Sequence, residues 1–286
     1  MKIFLFLFFP CITYGQVVYK GNIINKQSKE KIPYASVGLV KENTGINANE
    51  DGAFVLVSDL NPNDTLIISC VGFETTQFPV NQLPANHVFE IAEKPLVCNP
   101  ITLKNHYTKS VILNDYNDCG KNDYASAGAV FQIAQHFKTP ETNSLLSEIN
   151  ICKRDENSRF RIRIYNKDTL SGMPSADLVD AIIEIKSAKK YVRLNLEKYN
   201  IIIPEKDFFV AIEWLFIPYN EKNIQYKTRG KKQKNTYYKP VIYIHKTEGY
   251  QSHLKKEPTT WMMDYRGKWR PINIEFNFLI SAKVKI

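Results

Sequence analysis

His87-Val-Phe-Glu90 has a His-x-x-Glu spacing that zinc hydrolysis can use. A catalytic zinc needs three converging protein ligands and one open position. Residues three apart on a strand leave opposite faces, so His87 and Glu90 are not expected to share a metal. Asp115-Tyr-Asn-Asp118 before Gly120 is patterned like a calcium loop, but Cys119 stands where oxygen is required and Ser126 where the closing glutamate belongs. Turn chemistry accounts for the same residues. No Gly-x-Ser-x-Gly elbow, Cys-x-x-Cys pair or phosphate-cradling glycine run occurs. Asp168, Asp177, Asp180 and Glu213 are available for paired-carboxylate hydrolysis, and spacing alone leaves their convergence open. No catalytic residue, metal site or cofactor is therefore expected.

Binding surfaces are better represented. Arg159, Arg161 and Arg163 alternate with Phe160, Ile162 and Ile164, which on a strand places the three guanidiniums on one face at intervals of roughly 6–7 Å. Such a row can grip an anionic polymer or form a solvated outer face. Trp261, Tyr265 and Trp269 surround the turn Tyr265-Arg-Gly-Lys268 and either stack on sugar rings or pack between sheets. These six residues are the candidate binding set. Lys227-Thr-Arg-Gly-Lys-Lys-Gln-Lys234 contains no acid and reads as a solubilising hairpin tip.

The elements that must position these residues begin after a leader. Met1-Lys-Ile-Phe-Leu-Phe-Leu-Phe-Phe9 is one cation followed by an apolar run too short to span a bilayer, and residues 1–15 read as a secretory signal peptide ending at Gly15. Export to the periplasm, the outer membrane or the cell surface follows. No second apolar segment approaches spanning length. The remainder is long enough for two domains. Its cysteines, Cys70, Cys98, Cys119 and Cys152, are too sparse for a disulfide-stapled fold. Cys70 lies in an apolar strand as a buried thiol, and Cys98 with Cys119, both in a polar stretch, is the expected bridge. The formal charge of +9 favours anionic partners such as an envelope surface, an acidic glycan or an acidic protein face. Nothing resembles a nucleic-acid-binding motif.

Residues 16–92 break into short Val-, Ile-, Phe- and Tyr-rich runs bounded by Gly, Pro, Asn and Asp, the pattern of an all-β sandwich. Strands are predicted over 16–24, 33–41, 53–58, 65–70, 75–80 and 88–92. Asp51-Gly52 supplies the positive-φ residue of a tight hairpin. The stretches Gly21-Asn-Ile23, Ile32-Pro-Tyr-Ala-Ser-Val37, Gly45-Ile-Asn-Ala-Asn49 with Gly52-Ala-Phe54, and Ser69-Cys-Val-Gly-Phe73 resemble the carboxypeptidase-like regulatory domain. That module is carried near the N-terminus by many secreted and outer-membrane proteins of Bacteroidota type. Ile46 and Ala48 stand where the family pattern has threonines. The resemblance implies a seven-stranded prealbumin-like sandwich without catalysis of its own.

Residues 93–125 form a connector rich in Pro, Asn and Asp. Over 126–286 strand patterns resume. Phe208–Ile217 is nearly continuously apolar, as expected of a strand buried on both faces. Ile272, Ile274, Phe276, Phe278 and Ile280 alternate with Asn273, Glu275 and Asn277. Eight to ten strands imply a larger jelly-roll-like sandwich. The function this supports is a non-catalytic binding or structural protein of the envelope, its regulatory-type sandwich acting as a docking module for an envelope protein or glycan. The rival readings are carbohydrate binding through the C-terminal sandwich, and a peptidase or glycan hydrolase.

Overall fold

The computed structural model describes residues 16–59, 61–95, 107–154, 156–228, 231–246, 258–272 and 276–286. The leader, Cys98 and residues 273–275 lie outside them. Among the described residues the chain is β throughout, interrupted by 3-10 turns at Val80–Gln82 and Glu197–Tyr199, and no helix is long and apolar enough to cross a membrane.

The N-terminal unit contains β1 (Gln16–Asn25), β2 (Ser36–Leu39), β3 (Thr44–Asn47), β4 (Ala53–Asp59), β5 (Thr65–Ser69), β6 (Thr76–Pro79) and β7 (Val88–Ile91). They form two sheets, ordered β4-β1-β7 and β3-β2-β5-β6. Tyr19, Ile23, Phe54, Leu56 and Phe89 meet Val37, Leu39, Leu66 and Ile68 between them. Alternation in β1 and β4 is clean because their other face is open to solvent. Every residue of β2 is buried instead, because its outer face is covered by the second unit. β3, absent from the sequence expectation, is a four-residue strand whose only large apolar residue is Ile46.

The C-terminal unit comprises β8 (Ser110–Leu113), β9 (Asn122–Ser126), β10 (Val130–Lys138), β11 (Ser144–Cys152), β12 (Ser158–Lys167), β13 (Pro174–Asp177), β14 (Ile183–Ser187) and β15 (Tyr191–Asn195). It continues with β16 (Ile202–Ile203), β17 (Asp207–Trp214), β18 (Glu221–Thr228), β19 (Lys231–Lys246), β20 (Thr260–Asp264), β21 (Trp269–Pro271), β22 (Phe276–Phe278) and β23 (Ile280–Lys285). The principal sheet runs β13-β12-β17-β10-β20-β21 with β14 also on β12, and packs on a sheet ordered β15-β11-β23-β8. Phe160, Ile162, Val210, Ile212 and Trp214 fill the space between, against Leu146, Ile151, Ile280 and Val284. A third sheet is built on the long hairpin β18-β19. The strands exceed the predicted eight to ten because pieces such as β13, β16 and β21 are too short to carry a period-2 pattern. The stretch read as a connector contributes β8 and β9, which pair with β23 and β19.

Cys119 is bonded to Cys152, with Cα atoms 5.6 Å apart. This corrects the expected Cys98–Cys119 bridge. Cys152 ends β11 beside the loop after β8, and both cysteines are buried with Leu279. The polarity of the sequence around Cys119 concealed that its partner comes from a strand.

The two units pack directly on each other. Ile67 of β5 joins the C-terminal core, Tyr34 packs on Leu215 and Ile217, and Asn47 accepts from the Phe216 amide at 2.7 Å. Gly38 and Gly45 face each other across β2 and β3. A Cβ on Gly38 would stand 2.4 Å from Cδ2 of Tyr265, and one on Gly45 2.9 Å from Cζ of Phe131. The two glycines thus make a flat landing for two rings of the other unit.

Candidate functional site

The arginine strand faces inward at this junction. Phe160, Ile162 and Ile164 enter the C-terminal core, so period-2 alternation sends Arg159, Arg161 and Arg163 to the opposite face, which the N-terminal unit covers. Arg161 is only 1% exposed. Register puts it directly between Glu184 of β14 and Glu213 of β17, with Gln132 of β10 beyond Glu213. Its Nη1 lies 3.5 Å from Oε1 of Glu213, and its Nη2 donates across the junction to the Pro33 carbonyl at 3.0 Å.

Arg163 grips Asp177 with two nitrogens, Nε at 3.1 Å from Oδ1 and Nη2 on Oδ2, while its Nη1 lies 3.2 Å from Oε2 of Glu213. Burial alone would lower the pKa of Arg163, but the Tyr165 phenol and the carboxylates of Asp177 and Glu213 outweigh it and hold the group above its ordinary value. Tyr165 donates to Gln132 at 2.8 Å, and burial pushes its phenol up. Arg159 binds Glu184 at 3.2 Å and Glu50 at 3.7 Å and donates to the Tyr34 hydroxyl. The Tyr34 ring lies 5.3 and 5.6 Å from the guanidinium carbons of Arg159 and Arg161, within cation–π range. Tyr34 has φ +57°, a conformation that costs a non-glycine residue about 1–3 kcal/mol. Its packing on Leu215, Ile217 and the two arginines offsets that cost.

Between the units lies a cavity of about 170 Å³, bordered by Cys70, Lys94, Arg163, Asp177, Glu213 and Tyr265 among others. Two of the four acids picked out in the sequence, Asp177 and Glu213, therefore converge, with a guanidinium between them. Asp168 instead caps a turn, accepting from the Ser171 amide at 2.7 Å, and Asp180 is exposed. Each converging carboxylate is already engaged, so the group can hold the two units together or present polar edges to a small ligand. Gln132, Tyr165 and Tyr34 were not singled out by sequence. Their signal was weak: Gln132 and Tyr165 are isolated polar or aromatic residues in apolar strands, and Tyr34 stands in the turn before β2.

The aromatic candidates are used in packing. Trp261 is 5% and Tyr265 4% exposed. Trp261 packs with Phe209 and Ala211, and Tyr265 donates to the Val40 carbonyl at 3.0 Å across the junction. Trp269 is half-buried, edge-on to Tyr165 at 5.5 Å. Although β21 is the edge strand of the principal sheet, the three rings do not form an open platform, because Trp261 and Tyr265 are both buried. His87 is exposed in a left-handed turn before β7, while Glu90 pairs with Lys29 at 2.8 Å. Among the described residues no three His, Cys, Asp or Glu side chains are grouped as a metal site.

No curated protein matches the chain. Two solved structures show a distant likeness. One is a clostridial cysteine protease, Cwp84, after propeptide cleavage, 12% identical over 95% of this chain and 66% of its own, with a TM-score of 0.38. The other comprises the cysteine protease and lectin-like domains of Cwp84, described as a surface-layer-associated protein of Clostridium difficile, 11% identical over 95% of this chain and 59% of its own, with a TM-score of 0.34. The present chain thus spans about two thirds or less of those proteins, and so distant a likeness carries no functional argument. The N-terminal unit, with its glycine landing, its Ile-Pro-Tyr-Ala turn into β2 and its Asp51-Gly52 hairpin, matches a family model over residues 19–98 and is a CarboxypepD_reg-like domain.

Proposed function

We propose that this is a non-catalytic binding or structural protein of the cell envelope, in which the CarboxypepD_reg-like domain is a docking sandwich fixed to a larger β-sandwich. The observation that carries the reading is the engagement of Asp177 and Glu213 by Arg161 and Arg163 at the junction. A hydrolytic carboxylate must be free to take or give a proton at a substrate. These two are held by guanidiniums, one of which also reaches the backbone of the other unit. The Cys119–Cys152 disulfide supports an oxidising compartment, in keeping with the expected export. Carbohydrate stacking on Trp261 and Tyr265 is not favoured, since both rings are buried.

The test is a hydrolysis screen on chromogenic peptide, ester and glycoside substrates, with Asp177→Asn and Glu213→Gln variants beside the unmodified protein. The expected result is no turnover that either substitution abolishes. Turnover by the unmodified protein that is lost in both folded variants overturns the reading.

A further inference from the structure

β1 is paired along both edges over only part of its length. It runs against β4 from Gln16 to Asn22, but β7 joins its other side only from Asn22 onward. On that side the Asn22 amide donates to the His87 carbonyl at 2.9 Å, while the Ile23 amide donates towards β4, to the Gly52 carbonyl at 2.9 Å. Backbone groups of successive strand residues point to opposite edges. Gln16, Val18 and Lys20 therefore turn their N–H and C=O groups the same way as Asn22, into the stretch that β7 does not reach. Among the described residues no strand pairing or turn bond takes up these groups at Val18 and Lys20.

A row of unpaired backbone groups is a template for a further strand, and protein edges are commonly blunted by charge, proline or a bulge. β6, β13 and β21, also at sheet edges, carry Pro79, Pro174 and Pro271. β1 has no such device. Its register with β4 is unbroken, and Gln16-Val-Val-Tyr-Lys20 holds a single charge, at its end. The outer face is apolar at its centre, where Val18 stands opposite Val57, the two being 55% and 51% exposed, with Val55 56% exposed beside them.

We infer that the free edge of β1 pairs antiparallel with β1 of a second copy of this chain, about a two-fold axis at Val18. This names a partner for the docking sandwich and rests on the binding reading above. The edge selects its occupant by matching itself. Centring on Val18 sets Val18 against the partner's Val18 and Gln16 against the partner's Lys20, so every free donor on the edge meets a free acceptor. The side chains agree with the backbone. On the outer face the Val57–Val18 pair continues into the partner's Val18 and the partner's Val57 as one apolar row. Lys20 lies beside the partner's Gln16, with the partner's exposed Asp59 one strand beyond. No like charges stand opposite each other, an arrangement that would destabilise the ladder. A peptide of unrelated sequence meets the backbone groups without this pattern, and face-to-face packing of two such sheets covers the valines but leaves the edge unpaired. So short a segment gives an interface at the small end of specific contacts, and the dimer is a weak one.

The test is sedimentation velocity on the full chain from about 5 µM to 1 mM, a range that brackets weak association. The unmodified protein should shift from monomer towards dimer across it. Val18→Lys, which sets two ammonium groups opposite each other at the axis, should weaken association about fivefold or more. Val57→Lys puts the same charges about 14 Å apart at the usual strand spacing, beyond the screening length at about 0.15 M salt, and should weaken it less than about twofold. Oxidative cross-linking reads the register separately. Val18→Cys should give a disulfide-linked dimer, since the two Cα atoms of such a pair lie about 5.5 Å apart. Lys20→Cys, whose two copies are offset by about 13 Å along the strands, should cross-link at least about fivefold more slowly. The inference is overturned if the protein stays monomeric throughout, or if Val18→Lys and Val57→Lys weaken association equally, as face-to-face packing requires. Cross-linking of Lys20→Cys as fast as Val18→Cys overturns it too. None of these outcomes touches the hydrolysis screen, so the two readings fail separately.

Discussion

Arg161 and Glu213 stand directly opposite each other on adjacent strands of the principal sheet, Nη1 3.5 Å from Oε1, with both side chains buried beneath the other unit. A buried pair of this kind adds little net stability over an apolar pair, but removing one partner strands the other. Arg161→Met alone, or Glu213→Leu alone, should therefore cost about 3–5 kcal/mol in urea unfolding of the full chain. The double variant should cost less than the sum. An additive double variant would show that the two charges are not coupled and that the register contact is incidental.

Gly38 makes the same argument from packing. Its missing side chain lets the Tyr265 ring lie on β2, where a Cβ would come within 2.4 Å, and the Tyr265 hydroxyl is held by the Val40 carbonyl. That bond tethers the ring over β2. Gly38→Ala should destabilise the protein by about 1–3 kcal/mol through overpacking. In a Tyr265→Ala background the same substitution should cost much less, since residues in contact are not additive. Equal costs in both backgrounds would place the strain elsewhere.

How far these contacts could be read beforehand depends on what left a pattern. The alternation in β1, β4 and β12 was legible because each has one face in a core and the other in a different environment. The Phe208–Ile217 run was legible because Phe208, Val210 and Ile212 enter one core while Phe209 and Ala211 pack on the other side. What alternation could not tell was the nature of the second environment for Arg159, Arg161 and Arg163. A polar row looks the same whether water or another unit lies over it. A complementary signal existed in the outward positions of β2 and β5. Ser36, Gly38 and Ile67 are small or apolar where a solvated face would carry charge, which marks a covered sheet. The convergence of Asp177 with Glu213 was beyond sequence, since they come from non-adjacent strands and meet only through Arg163.

Cys70 offers a test of that cover by titration. It borders the cavity between the units with its Sγ 3.9 Å from Nη1 of Arg161. Burial raises its thiol pKa, with Arg161 pulling the other way. Because the folded-state value is raised, the thiol's contribution to stability is fully present below the unfolded-state pKa, about 8.5. It is lost as pH rises towards the folded-state value, where the unfolded chain already releases the proton and the folded one retains it. Stability should thus fall more steeply above about pH 8.5 in the unmodified protein than in a Cys70→Ala variant. The raised tyrosines are common to both and cancel in the difference. Iodoacetamide at pH 8, read by peptide mass spectrometry at Cys70 itself, should label the native protein far more slowly than the urea-unfolded one, since the thiolate is the reactive form. Rapid native labelling, with identical pH profiles for the two proteins, would mean that the junction admits solvent to Cys70 and that the two units part readily in solution.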